Sequence, residues 1–256
     1  MIFDKNLFSG KQILVTGGSS GIGRAVAISL AELGGDIIIL GRNTARLQET
    51  AAMIYQSSGR QASVASFDLG EVDCATQFFK EVLQLYGPID ACFHSAGEEL
   101  LKPLKMTKGV DIDRMFKSNV NSAFAVARAF STKGFAKPEG SLLIMSSVSG
   151  LTGQSAMALY GSCKSAITGL VKSAACEFAP MGLTINQIAA GGVNTEMHQR
   201  IVSRISEAAI GTYEGAHLLG VGSISDVVNP SIFLLSPGAR WITGSTVIVD
   251  GGYTVR

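Results

Sequence analysis

Tyr160 and Lys164 stand four residues apart. On a helix that spacing puts two side chains on one face. A phenol ordinarily titrates near pH ~10, too high for ready proton exchange at neutral pH. An ammonium alongside stabilises phenolate and draws that value down. The pair would then be a general acid-base poised closer to its working pH. It closes the stretch SSVSGLTGQSAMALYGSCK (146–164), which carries no charge until its last residue. Ser146 and Ser147 follow the apolar run SLLIM (141–145). A hydroxyl there can hydrogen-bond a substrate oxygen as charge develops on it. Neither a histidine nor a carboxylate is placed to make that serine a nucleophile, so hydrolysis is not indicated. The small residues between Gly150 and Ala158 would leave room for a substrate.

A second constellation lies near the N-terminus. VTGGSSGIGRAVAISLAELGG follows an apolar run and leads into a helical pattern, with Gly17, Gly21 and Gly23 spaced G-x-x-x-G-x-G. Glycines let backbone N–H groups approach a pyrophosphate, and a helix beginning near Ile22 presents its positive end to that anion. This unit predicts dinucleotide binding. Where NAD-binding chains place a ribose-binding carboxylate, this one reads LGRN, with Gly41 and Arg42. A guanidinium can hold a 2′-phosphate in bidentate fashion and a carboxylate would repel it, so Arg42 favours NADP(H) over NAD(H). Asp68, in SFDLG, could accept from the adenine amino group or act as a helix N-cap.

These groups need a scaffold with open strand ends. QILVT (12–16), DIIIL (36–40), ASVASF (62–67), DACFH (90–94), SLLIM (141–145), LTINQI (183–188) and STVIVD (245–250) read as strands. Helical patterns run near 22–33, 43–57, 73–86, 111–133, 156–179 and 225–235. Alternation of this kind, with strands apolar on both faces, predicts an α/β fold: one Rossmann-like domain over 1–256, with a doubly wound parallel sheet of about seven strands and helices on both faces. Ligands bind such sheets at the carboxyl ends of the strands, where the glycine loop, the serines and the Tyr-Lys face converge. The segment 191–222 fits no strand slot and reads as a lid.

Composition narrows the partners. At 256 residues and 46% hydrophobic, the chain can bury a sizeable core. A net charge of +1 with acids and bases interspersed argues against nucleic acid or a membrane surface as partner. Cys74, Cys92, Cys163 and Cys176 form no C-x-x-C pair and read as buried thiols of a cytoplasmic protein. The N-terminus lacks a signal-peptide core, and glycines and serines break the uncharged run 141–163.

Taken together, TGGSSGIG (16–23), HSAG (94–97), SNV (118–120), SSVSG (146–150), YGSCK (160–164), INQIAAGGVNTEM (185–197) and ITGSTVIVDGG (242–252) resemble the short-chain dehydrogenase/reductase family over almost the whole length. In general pattern the chain is most similar to its 3-oxoacyl-(acyl-carrier-protein) reductase-like members. The resemblance implies catalytic roles for Asn119, Ser147, Tyr160 and Lys164. Ser147 is preferred to Ser146 and Ser149 because, as in the family, it stands thirteen residues before the tyrosine. Tyr160 would exchange the proton and Ser147 polarise the substrate oxygen. Lys164 would lower the Tyr160 pKa and hold the nicotinamide ribose, and Asn119 would sustain a water-linked relay to Lys164. Cofactor contacts would come from Gly17, Ser19, Ser20, Gly21, Ile22 and Gly23. Further along they would come from Arg42, Asp68, Leu69, Ser95, Ala96 and Gly97, then from Tyr160, Lys164, Val193 and Thr195.

Two departures stand out. Asn-Ala-Gly is replaced by Ser95-Ala96-Gly97, a shorter polar group that leaves its stabilisation of the sheet or cofactor less secure. Pro-Gly is replaced by Ala190-Gly191-Gly192, which predicts a more flexible loop. The implied activity is NADP(H)-dependent interconversion of a small-molecule carbonyl and alcohol. The alternative is a non-catalytic dinucleotide-binding regulator, which loss of Tyr160 or Lys164 would have favoured. Epimerase or dehydratase relatives are usually longer, with a larger C-terminal substrate domain. Pro138 and Met181 stand where arginines would dock an acidic carrier protein, although Lys137 and Lys172 are near. His198 and His217 could meet a polar substrate. Ala123, Phe124, Val126, Ala127, Phe130, Ala166, Leu170 and Ala174 look exposed on two long helices, and the resemblance implies a homo-oligomer, a dimer or homotetramer, paired through them.

Overall fold

In the computed structural model, which describes residues 2–203 and 206–255, the apolar runs become a seven-stranded parallel sheet ordered β3-β2-β1-β4-β5-β6-β7. The first half is β1 (Gln12–Thr16), α1 (Gly21–Glu32), β2 (Asp36–Gly41), α2 (Thr44–Ser58), β3 (Ser63–Ser66), α3 (Val72–Tyr86) and β4 (Ile89–His94). The second is α4 (Gly109–Phe116), α5 (Ser122–Ser131), β5 (Ala136–Ser147), α6 (Ala158–Phe178), β6 (Thr184–Ala190), α7 (Glu196–Val202), α8 (Glu207–Gly215), α9 (Ile224–Leu235) and β7 (Thr246–Val249). The chain reverses direction across the sheet after β3, so β1 and β4 lie side by side. The crevice beyond their carboxyl ends is the switch point at which open α/β sheets bind ligands.

Strands that are apolar on both faces need cover on both. One core layer packs Phe79, Phe130, Val171 and Phe178 against Leu14, Cys92, Leu142 and Ile185. The other packs Val26, Leu30, Val227 and Ile232 against Ile13, Val15, Ile39 and Phe93. The expected strands and fold class are present. β5 is longer than expected, and from Ser141 to Ser147 it is paired with β6 residue by residue up to Ala190. That register carries Ser147 to the rim.

The expected helix over 111–133 is interrupted. Residues Lys117–Asn121 form a π turn between α4 and α5. The Asn119 side-chain amide donates to the Met115 carbonyl at 3.0 Å, taking the acceptor that lies one helical turn back. The cysteines divide: Cys92 and Cys163 are buried, whereas Cys74 and Cys176 are exposed, because the latter lie on the outer faces of α3 and α6. The 191–222 segment folds as α7 and α8 over the mouth of the sheet; residues 204 and 205 of it lie outside those described. Among the described residues no helix is long and apolar enough to cross a membrane.

Candidate active site

The glycine loop explains its own composition. A Cβ on Gly17 would come within 2.7 Å of the Ala96 amide nitrogen, and Gly17 has φ +69°. A Cβ on Gly23 would lie 2.3 Å from the Gly17 carbonyl oxygen. Gly23 therefore packs α1 under the loop. The first turn of α1 holds no acid, and Ser20 at its N-cap makes no side-chain cap bond. Its amides are thus left for an anion.

A cavity of about 990 Å³ opens from this loop along the carboxyl ends of the strands. Ser19, Ser20, Gly21 and Ile22 line it, with Arg42, Asp68 and Leu69 beyond the ends of β2 and β3. Ser95, Ala96, Gly97 and Asn119 line its floor, and Ser147, Tyr160, Lys164, Val193 and Thr195 complete the predicted set. Asp68 accepts from the Gly70 amide at 3.0 Å in a local turn, while Glu71 holds the N-cap position of α3, so Asp68 is not that helix's cap.

The Tyr160–Lys164 face points inward as the spacing requires. The Lys164 Nζ lies 5.5 Å from the Tyr160 ring centroid and donates to the Met145 carbonyl at 3.2 Å. Burial lowers the Lys164 pKa to about 8, while Cys163 and Glu99 pull it upward. The phenol differs from expectation. Burial holds Tyr160 well above its ordinary value, and Glu99 adds to this; a hydrogen bond with Ser147 opposes both. Desolvation penalises phenolate more than the Ser147 bond relieves it. Ser147 Oγ also accepts the Ser149 amide at 3.1 Å. Ahead of Tyr160, Ser155 and Ala156 line the cavity. A Cβ on Gly161 would sit 2.5 Å from the Ser149 carbonyl oxygen, so only glycine lets α6 close on the serine turn.

Asn119 Nδ2 donates to the Glu98 carbonyl as well as to Met115, both at 3.0 Å. Its Oδ1 is buried with no hydrogen-bond partner. A Cβ on Gly97 would lie 2.7 Å from that oxygen and 3.6 Å from Lys164 Nζ. An orphaned acceptor facing a cation across a cleft kept clear of side chains fits a bound polar group there. With the uncapped helix end and the glycine loop, these residues fit a dinucleotide.

Several functional candidates were not singled out in the sequence. Arg46 lines the cavity one helical turn after Arg42. Arg42 pairs with Glu98 at 3.0 Å and Arg46 with Glu196 at 2.6 Å. Glu99, Tyr213 and Tyr253 line the far end. The two lid histidines differ: His198 lines the cavity, whereas His217 is buried and accepts the Gly192 amide on Nε2 at 2.9 Å. That bond, with Gly191 N–H donating to the Val249 carbonyl at 2.9 Å, pins the loop expected to be flexible. His94, buried before Ser95, meets Thr16 at 2.8 Å and Ser122 at 3.3 Å, tying β1 and β4 to α5. It supplies the cross-link that the shorter Ser95 left in question.

Residues 17–254 match the family described as enoyl-(acyl carrier protein) reductase. The chain belongs to the short-chain dehydrogenase/reductase family. It is 31% identical over 247 residues to a gluconate 5-dehydrogenase of Gluconobacter oxydans, covering 96% of each chain. It is 28% identical to the 3-oxoacyl-[acyl-carrier-protein] reductase FabG of Staphylococcus aureus, over 94% of this chain and 97% of that protein. Among solved structures, a short-chain type dehydrogenase/reductase from Mycobacterium ulcerans superposes with a TM-score of 0.88 at 29% identity, covering 97% of this chain and 91% of that one. Members of this family are oxidoreductases that use a nicotinamide dinucleotide, and the glycine loop and uncapped α1 lie where that cofactor would be held.

Proposed function

We propose that this protein is an NADP(H)-dependent reductase of a small-molecule carbonyl, or a dehydrogenase of the corresponding alcohol, with Tyr160 as general acid-base. The observation that carries the reading is the meeting of Ser147, Tyr160 and Lys164 at one end of a cavity whose other end is a glycine loop under an uncapped helix. Dehydrogenases and reductases among the relatives share that carbonyl-alcohol exchange. The nicotinamide supplies the hydride chemistry when bound. The chain's own residues do the rest. Ser147 donates its hydroxyl hydrogen to the substrate oxygen, and Tyr160 gives that oxygen its proton during reduction. Lys164, cationic at neutral pH, offsets the charge left on the phenol oxygen. Asn119 Oδ1 holds the polar end of the path by which Lys164 is resupplied.

The preference for NADP(H) rests on Arg42 and Arg46, with no carboxylate at the end of β2. Glu98 and Glu196 occupy these arginines, but exposed ion pairs of this kind are worth only about 0–1 kcal/mol. A 2′-phosphate, with more charge and bidentate geometry, would displace them at small cost. The test is turnover of a ketone panel with NADPH and NADH by the wild type and by Tyr160→Phe and Arg42→Ala. Tyr160→Phe should lose at least about 100-fold in kcat with NADPH affinity within about threefold. Arg42→Ala should weaken NADPH at least about tenfold more than NADH. Near-normal turnover by the Phe variant would remove Tyr160 from the chemistry.

A further inference from the structure

Two adjacent glutamates on the loop after β4 line the cavity. Glu98 is engaged there by Arg42 and Arg114. Glu99 has no such ion pair among the described residues. The loop is pinned in that attitude from three sides. Asn119 donates to the Glu98 carbonyl at 3.0 Å, the Lys102 amide donates to the Ala156 carbonyl at 2.8 Å, and Lys102 pairs with Asp111 at 2.6 Å. Ala156, a non-glycine residue at φ +62°, holds a strained backbone where it accepts that bond. A fixed loop thus presents a carboxyl group that has no hydrogen bond or ion pair among the described residues. Around it stand Tyr160 and Lys164 on α6, Arg200 on α7 and Tyr213 on α8. These are the substrate end of the cavity and the inner side of the lid.

We propose that Glu99 is the specificity-determining acceptor for a hydroxyl on the substrate, so that the protein takes neutral polyhydroxylated carbonyls in preference to plain alkyl ketones or acyl chains. This deepens the reductase reading and rests on it. An acceptor that a bound substrate covers without offering it a donor loses its water and gains nothing in return, so a substrate that offers only methylenes to Glu99 is penalised. A site built around a polar contact rejects the analogue lacking it more strongly than an apolar pocket rejects an extra methylene. An ammonium-bearing substrate would meet Lys164 and Arg200 as well and is disfavoured by them. Burial raises the Glu99 carboxyl pKa to about 7, although Lys164 and Arg200 draw it down.

The test compares xylulose with 2-pentanone, the same carbon skeleton without the hydroxyls, using NADPH and the wild type, Glu99→Gln and Glu99→Leu. The wild type should favour xylulose at least tenfold in kcat/KM. Glu99→Leu should erase that ratio, chiefly through KM for xylulose, and Glu99→Gln, whose carbonyl still accepts, should keep part of it. The wild-type KM for xylulose should fall between pH 6 and pH 8, a trend Glu99→Leu should lack. Equal use of both ketones by the wild type, or an unchanged ratio in Glu99→Leu, overturns the assignment. If the wild type binds NADPH but reduces neither these two ketones nor any other of the ketone panel, the reductase reading fails by itself. Calorimetry then decides the assignment: xylulose must bind the wild type and not Glu99→Leu.

Discussion

Lys164 donates to a backbone carbonyl, lies over a phenol ring and is 6% exposed, with a pKa of about 8. It therefore keeps its charge in roughly nine molecules out of ten at pH 7 and loses it above pH 8. Tyr160 is protonated throughout that range because burial holds it high. On the proposed reading Tyr160 becomes a phenolate stabilised by that ammonium during reduction, so rate should follow the Lys164 charge and not the free phenol. We expect kcat/KM for ketone reduction to fall tenfold per pH unit above about pH 8. Lys164→Met should be at least about 100-fold slower and show no such limb, and Lys164→Arg should shift the limb upward. A stopped-time rate profile from pH 6 to 10 measures this, and a limb retained in Lys164→Met would assign it elsewhere. The pair itself was legible because i,i+4 geometry is local. The direction of the tyrosine's shift was not, because it is set by burial, with Glu99 and Tyr213 adding to it, and these come from distant segments.

An element is positioned by what it hands to its neighbours, and the π turn at Lys117–Asn121 shows this. SNV (118–120) pointed to Asn119 in the sequence, but helical periodicity ran straight through it. Only the asparagine's bonds to Met115 and to the Glu98 loop reveal why the helix opens there. The β1–β4–α5 junction has the same character. His94 was visible only as a letter in HSAG, yet its ring bridges Thr16 and Ser122 where the sheet meets the cavity. Burial, with Lys164 nearby, lowers its pKa to about 3. The folded state thus binds fewer protons there than the unfolded chain, whose histidine titrates near pH ~6.5. Its contribution to stability is present above pH 6.5 and is lost as pH falls toward 3. Between pH 6 and 4 this one group should remove up to about 1.4 kcal/mol of stability per pH unit. His94→Leu, which leaves two hydroxyls without that partner, should cost about 2–4 kcal/mol at pH 7. The variant should also flatten the acid slope in urea titrations at pH 4, 5 and 6. A variant with the wild-type slope would place the acid sensitivity in another group.

At the scale of the whole molecule, the sequence marked the parallel sheet and the open strand ends. These follow from runs and alternation, which are read along the chain. It misjudged the helix faces, because one amphipathic stripe can meet the sheet or a partner equally well. Ala123, Val126, Ala127, Phe130 and Ala174 are buried within the chain, and Phe124 is exposed. Ile112, Phe116 and Phe124 leave apolar surface on α4 and α5. A separate group, Phe233, Trp241 and Ile248, lies on α9, after it and on the edge strand β7, with Trp241 92% exposed. Large exposed apolar groups of this kind mark association sites, and β7, at the end of the sheet, has a free edge. Two separate patches, each self-paired across a two-fold axis, would close a tetramer with two kinds of interface. Sedimentation of the wild type should therefore give four times the chain mass. Phe116→Glu with Phe124→Glu should remove one interface and Trp241→Glu the other, each stopping assembly at the dimer, and all three together should give monomer. The sheet core does not include these side chains, so far-ultraviolet circular dichroism should stay unchanged in every variant. A wild type that sediments as a monomer at micromolar concentration would refute both interfaces, and one that stays tetrameric in the triple variant would move them to other surfaces.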